Sequence, residues 1–373
     1  MTGALDGIRV LEFANYVAGP YAGMILGDLG AEVIKVEQPA GGDPFRDWGD
    51  GSFSPIFEAL NRNKKSVTVD LKAQNDQEKI RKLIQTADVI IENFRPGTMD
   101  RMGLGYPTLT RKQPRLIYCS ITGFGPTGPY RDRPGYDTIG QAMGGLLSLM
   151  TDLSDPKPVG YSFSDHFAGT AAMQGIMAAL FTRERTGRGQ LVETSLLQST
   201  IAMIGENAAR YLFDGTVPDR ERRTQLAQVY AFLDRDALPF VIHLSSPEKF
   251  WQALIKAIGH EELGRDERFG DRTARMKNFK ILHGRLSEIF KLQSRDYWLS
   301  RLQKYDVPAS PINTLAEVFN DPQVKHLDLK ETLNSSLGTS FELVCSGFNL
   351  EDTPLSIRKR APALGEHNSE LLT

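Results

Sequence analysis

Strand-like and helix-like segments alternate through the first 120 residues, and this alternation constrains the fold more than any other feature of the sequence. Helical spacing appears in 21–29, which ends at Gly30, and in 77–86. Such alternation predicts an α/β fold with a parallel sheet covered by helices. Ligands bind beyond the carboxyl ends of the strands in such sheets, so we expect the site there. The predicted strands are the short apolar runs 8–13, 31–36, 66–71, 89–92 and 116–121.

The chain is long enough for a second domain, because its 373 residues exceed the roughly 250–300 at which one hydrophobic core stops growing. We predict a large domain over 1–208, whose later part is rich in Gly, Ala and Met and forms closely packed helices. The polar stretch 209–227 is typical of a linker. Residues 228–312 predict a small α+β domain, and we expect 313–373 to hold a second linker and a return to the large domain.

Composition disfavours several classes of protein. Lys+Arg number 44 and Asp+Glu 46, and this net charge of -2 argues against a protein that coats nucleic acid or an anionic membrane. We find no apolar run of about 18 residues and no secretory signal. Cys119 and Cys345 are too few for a disulfide framework, and neither they nor the scattered histidines have metal-site spacing. We therefore expect a cytoplasmic protein with no metal.

The common nucleotide and hydrolase motifs are also missing. The segment after the first strand reads ANYVAGPYAG instead of GxGxxG, and GxxxxGK(S/T), HExxH and GxSxG do not occur. Two segments after strands remain as candidates for binding. The Gly- and Pro-rich loop 123–137 ends in Tyr136 and Asp137, although a plain connection is an equally good interpretation of it. Residues 92–103 contain the potential anion donors Asn93, Arg95 and Arg101.

Asp165 stands before a helix of small residues and has two interpretations. An aspartate in this place is an ordinary N-cap, and spacing alone favours that role. A carboxylate at a helix N-terminus is also expected to stay ionised, and the small residues Gly160, Ala168 and Gly169 are expected to leave room for a substrate. An ionised carboxylate with space in front of it can attack an acyl carbon.

Several longer segments together resemble the CaiB/BaiF family, the class III coenzyme A transferases. The resemblance covers about residues 5–205 and 315–370, and its combination of motifs is specific. It implies a Rossmann-like, CoA-binding large domain, a smaller α+β domain, and an interlocked-ring homodimer. It also implies that CoA passes from an acyl-CoA to a free carboxylic acid with no metal or redox cofactor. The segments read VLEFANYVAGPYAGMILGDLGAEVIKVEQP, RNKKSVTVDLK, ADVIIENFRPGTMDRMGLGY, ITGFGPTGPYRDRPGYD, DHFAGTAAMQGIMAALFTRERTGRGQLVETSL and APALGEHNSELL.

The resemblance also implies roles for individual residues. Asp165 matches the catalytic aspartate, which would form an aspartyl anhydride and then an aspartyl-CoA thioester. Tyr136 and Asp137 match residues that lie near the acyl group in formyl-CoA transferase. The positions that match CoA contacts are Val17, Ala18, Gln38, Val69, Lys72, Asn93, Phe94 and Arg101.

Two departures from the family pattern limit what the resemblance implies. Gln38 stands where formyl-CoA transferase has an arginine near the adenine, which puts that contact in doubt. The segment 224–233, TQLAQVYAFL, lacks the run of glycines that closes over the active site of that enzyme. An oxalate or formate specificity therefore does not follow from the resemblance.

Two other functions fit the same fold. α-Methylacyl-CoA racemases share the scaffold but carry a histidine–aspartate pair where this chain has Tyr136 and Asp137. Without that histidine the natural base near neutral pH is missing, which favours transfer over racemisation. A non-catalytic acyl-CoA-binding protein is the other alternative, and Asp165 within its flanking motif speaks against it.

Overall fold

Six parallel strands form the main sheet. The computed structural model describes residues 3–48, 54–334 and 340–372. The strands occur in the order β3-β2-β1-β4-β5-β6, so the order reverses between β1 and β4. At such a reversal the carboxyl ends of the strands open a crevice in which ligands bind. The predicted α/β fold with a parallel sheet is confirmed. The strands are β1 Arg9–Phe13, β2 Glu32–Glu37, β3 Lys64–Thr68, β4 Val89–Glu92, β5 Ile117–Thr122 and β6 Leu191–Ser195.

Apolar residues on both faces of this sheet are buried. Val10 and Ile91 pack into one hydrophobic cluster, with the helix that carries Ala172 and Ile176. Leu11 and other alternating residues pack into a second cluster on the opposite face. Because successive side chains of a strand point to opposite faces, strands that are buried on both sides read as continuous apolar runs.

The third strand deviates most from its predicted position, since it lies at Lys64–Thr68 and not at 66–71. Lys64 is buried, and its Nζ atom lies 2.7 Å from Oε2 of Glu12. A buried lysine interrupts the apolar pattern from which strands are predicted. The sequence pattern therefore misses the first two residues of this strand.

Helices cover both faces of the sheet. The longest, Phe163–Thr186, packs closely on Ala18–Asp28, because a Cβ atom at Gly169 would lie 2.6 Å from the carbonyl oxygen of Ala18. It ends at Gly187, which has the left-handed conformation typical of a glycine at a helix C-terminus. The other helices of this part are Pro55–Asn61, Gln74–Ile84, Thr98–Arg101, Tyr106–Thr110, Asp137–Met143, Leu146–Met150, Leu196–Met203, Gly205–Asp214, Asn368–Leu371 and the 3-10 helix Pro44–Asp47.

The segment 141–150 belongs to the Gly-, Ala- and Met-rich part in which we predict closely packed helices, but it does not form one continuous helix. One helix ends at Met143, and a second begins at Leu146. Gly145 has a φ of 84°, a left-handed conformation that stops the first helix and that a residue without a side chain adopts readily.

The chain divides into two compact units, 1–215 with 329–373, and 216–328. Helices Gly205–Asp214 and Arg222–Ala227 fall largely within the stretch that the sequence assigns to a linker. The boundaries at 209–227 and 313 therefore stay predictions. No helix among the residues that the structure describes has both the length and the apolar character needed to cross a membrane.

The C-terminal segment of the larger unit lies beside β3. Strands β10 Lys330–Asn334 and β11 Ser340–Val344 pair as an antiparallel hairpin. Further on, the backbone amide of His367 donates to the carbonyl oxygen of Ser66, and Asn368 accepts a hydrogen bond from the amide of Thr68. These contacts cover the edge of the sheet that β3 would otherwise expose.

The smaller unit contains a three-stranded antiparallel sheet with the order β7-β8-β9. Its strands are β7 Val229–Leu233, β8 Pro239–His243 and β9 Ala309–Pro311. Aromatic side chains dominate its core, among them Phe232, Phe240 and Phe290. Its helices are Arg222–Ala227, Pro247–Ile258, Glu261–Arg265, Arg272–Lys277, Phe279–Phe290, Arg295–Lys304, Leu315–Val318, Pro322–His326 and the 3-10 helix Glu267–Phe269.

Candidate active site

A cavity of about 260 Å³ opens at the carboxyl ends of β1, β4 and β5. Its walls are the segments that directly follow these strands, the loop 131–136 and residues of two helices. Ligand binding at this edge of the sheet is what the strand pattern predicts. Seven of the site residues predicted from the sequence line the cavity, namely Val17, Ala18, Asn93, Phe94, Arg95, Tyr136 and Asp165.

Asp165 lies inside the helix and not before it. The helix begins at Phe163 with Ser162 as its N-cap residue, so the expectation that Asp165 caps the helix is wrong. The described part of the chain offers no hydrogen-bond donor to the Asp165 carboxylate. Burial and then the charge of Asp137 raise the pKa of Asp165 to about 7. Burial and Asp137 thus act against the expected effect of the helix N-terminus, which favours the ionised carboxylate.

The small residues near Asp165 have a different role from the expected one. Ala168 and Gly169 are buried, and Gly169 contacts the backbone of Ala18 and the ring of Tyr21. They let two helices approach each other and leave no space for a substrate. Gly160 has open space around its Cβ position. The room in front of Asp165 comes instead from the cavity between the strand ends.

Asp137 is the first residue of helix Asp137–Met143, and it lies beside Asp165. Its Oδ1 atom accepts a hydrogen bond of 3.2 Å from the backbone amide of Asp165. Tyr136, directly before it, is 61% exposed and lines the cavity. The structure thus brings together the three residues to which the family resemblance gives roles at the acyl group.

Asn93 connects two walls of the cavity. Its Oδ1 atom accepts from the backbone amide of Asn15 at 3.0 Å, and its Nδ2 atom donates to the carbonyl oxygen of Asn15 at 2.8 Å. Next to it, the backbone amide of Phe94 donates to Glu92 at 2.8 Å. Burial raises the pKa of Glu92 to about 7. These polar side chains hold the loops after β1 and β4 in register.

Tyr16 lines the cavity but was not predicted from the sequence. Its φ of 66° is left-handed, which is uncommon for a tyrosine and gives no signal in the sequence. Its backbone amide donates to Oδ1 of Asp43 at 3.3 Å, and its ring meets that of Tyr136 edge-on with centroids 6.1 Å apart. Burial, followed by the nearby Tyr136 and Asp43, raises the pKa of Tyr16.

Asp43 belongs to a cluster of buried charges behind this wall. The Nζ atom of Lys35 lies 2.8 Å from Asp43 and 3.0 Å from Glu12, and Lys64 lies 2.7 Å from Glu12. Lys35 also donates to the carbonyl oxygen of Ala14 at 2.7 Å. The cluster thereby fixes the backbone on both sides of Asn15.

Four of the predicted CoA contacts do not line the cavity. Gln38 is exposed and donates to the carbonyl oxygen of Gly42 at 3.4 Å. Val69 is buried in the hydrophobic core, and Lys72 is exposed. Arg101 is also exposed, and it donates to Oγ1 of Thr98 at 3.0 Å. Their assignment to CoA therefore stays a prediction.

Three arginines add positive charge to the wall of the cavity. Arg95 is one of the donors predicted after the fourth strand, whereas Arg131 and Arg133 were missed within the loop 123–137. A Cβ atom on Gly97 would lie 3.1 Å from Nη2 of Arg131 and 3.4 Å from Nη1 of Arg101. Arg101 thus lies next to a residue that lines the cavity. The two closely spaced arginines in the loop 123–137 are the sequence signal that could have identified this part of the cavity wall.

The described ranges of the chain contain no group of three or more His, Cys, Asp or Glu residues arranged to hold a metal ion. His166 follows Asp165, but its Nδ1 atom lies 2.7 Å from the carbonyl oxygen of Ser162. Its ring stacks on Tyr161 with centroids 4.8 Å apart. The ionisable side chains that line the cavity are those of Asp165, Tyr16, Tyr136, Arg95, Arg131 and Arg133.

Comparisons with known proteins identify the family of the chain. Residues 5–368 match the model of the family described as "CoA-transferase family III". The chain is 36% identical to a succinate–glutarate CoA-transferase of Agrobacterium fabrum, over 99% of this chain and 94% of that protein. It is 38% identical to an acetyl-CoA:oxalate CoA-transferase of Acetobacter aceti, over 86% of this chain and 84% of that protein.

A solved structure is similar over the same extent. The crystal structure of a CaiB/BaiF family protein from Brucella suis has 38% identity and a TM-score of 0.88, and the match covers 99% of this chain and 98% of that one. The family resemblance inferred from the motifs is confirmed by these matches. The chain therefore belongs to CoA-transferase family III, the CaiB/BaiF family, and is an enzyme that transfers CoA between acyl-CoA and carboxylic acids.

Proposed function

We propose that this enzyme transfers CoA by covalent catalysis on Asp165. The observation that carries the proposal is the position of the Asp165 carboxylate, which borders the cavity and has no hydrogen-bond donor among the described residues. Its lone pairs are therefore free to attack a carbonyl carbon. Covalent catalysis of this kind divides an exchange between two weak nucleophiles into easier steps.

The first half of the reaction converts the enzyme into a thioester. The Asp165 carboxylate attacks the acyl carbon of the donor; a C–O bond forms, the C–S bond breaks, and CoA thiolate leaves. The thiolate then attacks the aspartyl carbonyl of this anhydride. A C–S bond forms to Asp165, the anhydride C–O bond breaks, and the donor acid leaves as a carboxylate.

The second half runs in the opposite direction. The acceptor carboxylate attacks the aspartyl thioester and forms a new anhydride as CoA thiolate leaves. The thiolate attacks the acceptor's acyl carbon, which yields the new acyl-CoA and regenerates the Asp165 carboxylate. No proton or electron is gained or lost overall, so the proposed reaction needs no metal or redox cofactor. We expect dialysis against a chelator to leave the activity unchanged.

We propose that the acids exchanged are short dicarboxylic acids. The two named relatives act, by their names, on succinate, glutarate and oxalate. Arg95 and Arg133 line the cavity and form no ion pair with any described residue, which makes them suitable partners for a second carboxylate. Tyr136 and Asp137 are retained as the proposed neighbours of the acyl group.

For CoA itself we propose the matched positions Val17, Ala18, Gln38, Val69, Lys72, Asn93, Phe94 and Arg101. Arg101 is the strongest candidate for a phosphate contact, because its guanidinium lies over Gly97 next to that of Arg131. Arg131 pairs through Nη1 with Asp132, whereas its Nη2 atom and Nη1 of Arg101 both lie near Gly97. Two planar guanidinium groups that converge in this way favour an anion such as a phosphate group of CoA.

We also propose a homodimer. Helix Gly205–Asp214 has no buried residue, and it exposes 80% of Leu212 and 86% of Phe213. Large apolar side chains exposed side by side are typical of an interface. Light scattering at micromolar protein concentration tests this proposal, and a stable monomer would contradict it.

Trapping the intermediate tests the proposed chemistry. The enzyme is incubated with a dicarboxylyl-CoA alone and then treated with hydroxylamine, which converts an aspartyl thioester into a hydroxamate. We expect mass spectrometry to find the hydroxamate on Asp165, and none when CoA replaces the acyl-CoA. Solvent deuterium in the α-position of the recovered acyl-CoA, without any CoA transfer, would instead indicate a racemase.

A further inference from the structure

Gln141 is fully buried, one helical turn after Asp137 on the same helix. Its Nε2 atom donates to Oδ2 of Asp137 at 2.5 Å and to the carbonyl oxygen of Tyr161 at 2.9 Å. Both neighbours are acceptors, so the nitrogen end of the amide must face them. The amide therefore holds the Asp137 carboxylate from one side.

The other oxygen of Asp137 faces the proposed nucleophile. Oδ1 of Asp137 accepts from the backbone amide of Asp165 at 3.2 Å. A continuous chain of hydrogen bonds thus runs from the Tyr161 carbonyl through Gln141 and Asp137 to Asp165. It joins the first turns of two helices at the residue whose position matters most for the proposed attack.

Burying the Gln141 side chain destabilises the fold, because one of its polar atoms has no partner. Its Oε1 atom is buried and has no hydrogen-bond partner within the described ranges. An unsatisfied buried polar atom destabilises the folded chain, and an apolar side chain of similar length would avoid that penalty. The amide is therefore best explained by the two hydrogen bonds that its nitrogen donates.

We infer that Gln141 is a positioning residue, which holds the Asp137 carboxylate against the Asp165 backbone and so fixes the nucleophile in the cavity. The inference rests on the proposed nucleophilic role of Asp165. Gln141 itself does not line the cavity, so it acts on the substrate only through these two aspartates.

The position of Asp137 also influences the ionisation of Asp165. Asp137 is the second cause, after burial, of the raised pKa of Asp165. If Asp137 is released, the pKa of Asp165 falls, and the acid limb of activity moves to lower pH. The other titratable or charged groups around the site are Tyr16, Tyr21, Glu92, Arg95, Arg131, Arg133, Tyr136, Tyr161 and His166.

The test compares Gln141→Met with a matched control, Thr200→Val. Met keeps the length of the side chain but donates no hydrogen bond. Thr200 is buried and shares a hydrogen bond of 2.7 Å with Ser164, the residue before Asp165, and it forms no described hydrogen bond with Asp137. We expect Gln141→Met to lower kcat about tenfold or more because the nucleophile is misplaced, while KM for acyl-CoA changes little. The acid limb should also shift to lower pH, and Thr200→Val should change neither.

A folded Gln141→Met enzyme with wild-type kcat and an unmoved acid limb would overturn the inference. If that variant does not fold, Asp137→Asn takes its place, since it removes the charge and keeps an acceptor for Asp165. An acid limb that stays in place in Asp137→Asn would equally overturn the inference. The proposed function fails separately, if Asp165→Asn remains active.

Discussion

Two regions of this enzyme bury charged side chains, and they do so in opposite ways. In the cluster of Glu12, Lys35, Lys64 and Asp43, each carboxylate lies within 3.0 Å of a lysine. Burial alone lowers the pKa of Lys35, but Glu12 and Asp43 outweigh it and raise that pKa to about 12. At the cavity, Asp165 has a second carboxylate as its neighbour, and its pKa rises to about 7.

The difference distinguishes charged groups that stabilise the fold from charged groups that take part in the reaction. Each buried carboxylate of the cluster has a lysine partner, and breaking one pair leaves an uncompensated ion, although burial still lowers the pKa of Lys64 to about 8. Two adjacent carboxylates without a described cation partner destabilise the ionised state, and such sites are found where a group must react. The lysine cluster should therefore matter for stability, and the aspartate pair for activity.

The strongest way to test this division is Asp165→Asn. Because solvent cannot replace a covalent nucleophile, we expect CoA transfer to fall by at least about a thousandfold while the fold is kept. Activity is measured with saturating acyl-CoA and acid, and circular dichroism serves as the control for folding. A variant that keeps about a tenth of the wild-type rate would contradict the proposed role of Asp165.

The converse test is Glu12→Ala, which leaves Lys35 and Lys64 without their shared partner. We expect a loss of about 3–5 kcal/mol in the free energy of unfolding, measured by denaturant titration. Glu32→Ala is the matched control, because Glu32 also contacts two cations, Arg9 and Lys65, but at the surface. That control should cost about 1 kcal/mol or less. Equal losses in the two variants would contradict a structural role for the buried cluster.

The melting temperature of Asp165→Asn tests whether the buried Asp165 carboxylate destabilises the folded enzyme. The folded-state pKa of Asp165 is raised from 3.8 to about 7, so wild-type stability falls as the pH rises through this interval. We expect Asp165→Asn to melt several degrees above wild type at pH 8 and the difference to vanish near pH 4, by differential scanning calorimetry. A difference that does not depend on pH would mean that the variant acts through packing and not through charge.

The smallest expected effect concerns the exposed arginine near the cavity. We expect Arg101→Ala to raise KM for acyl-CoA about tenfold, consistent with the roughly 1.5–3 kcal/mol of a charge-assisted hydrogen bond. KM for the acid should barely move. The exposed Arg111 provides the control variant Arg111→Ala. If Arg101→Ala prefers CoA over dephospho-CoA as strongly as wild type does, Arg101 does not hold the 3′-phosphate.

The sequence predicts the buried strands well, because the same run of apolar residues that identifies a strand in the sequence also forms the hydrophobic core. Strand β4 lies at its predicted bounds, 89–92, since it is buried on both faces. The buried Lys64 has no such pattern, because only a partner from a distant strand makes its burial possible. The start of the helix at Phe163 was missed for a local reason, since Ser162 gives no side-chain capping bond.

The family resemblance identifies the core of the candidate site but not its surroundings. Asp165, Tyr136 and Asn93 line the cavity at the reversal of strand order. Lys72 and Val69 follow β3, an edge strand two positions away from β1, and they do not line the cavity. Nothing in the sequence indicates the left-handed Tyr16 or the link from Gln141 to Asp137, because both depend on contacts between distant segments.

The most direct test of the account follows oxygen atoms through the reaction. The acceptor acid is labelled with heavy oxygen in both carboxylates and turned over with an unlabelled acyl-CoA. Cleavage of the second anhydride at the acceptor's acyl carbon leaves one acceptor oxygen on the aspartate in each turnover, so the peptide that contains Asp165 should gain the label. In the variant Asp165→Asn, which should not transfer CoA, we expect no label in this peptide. Full turnover with an unlabelled Asp165 would contradict covalent catalysis by this residue.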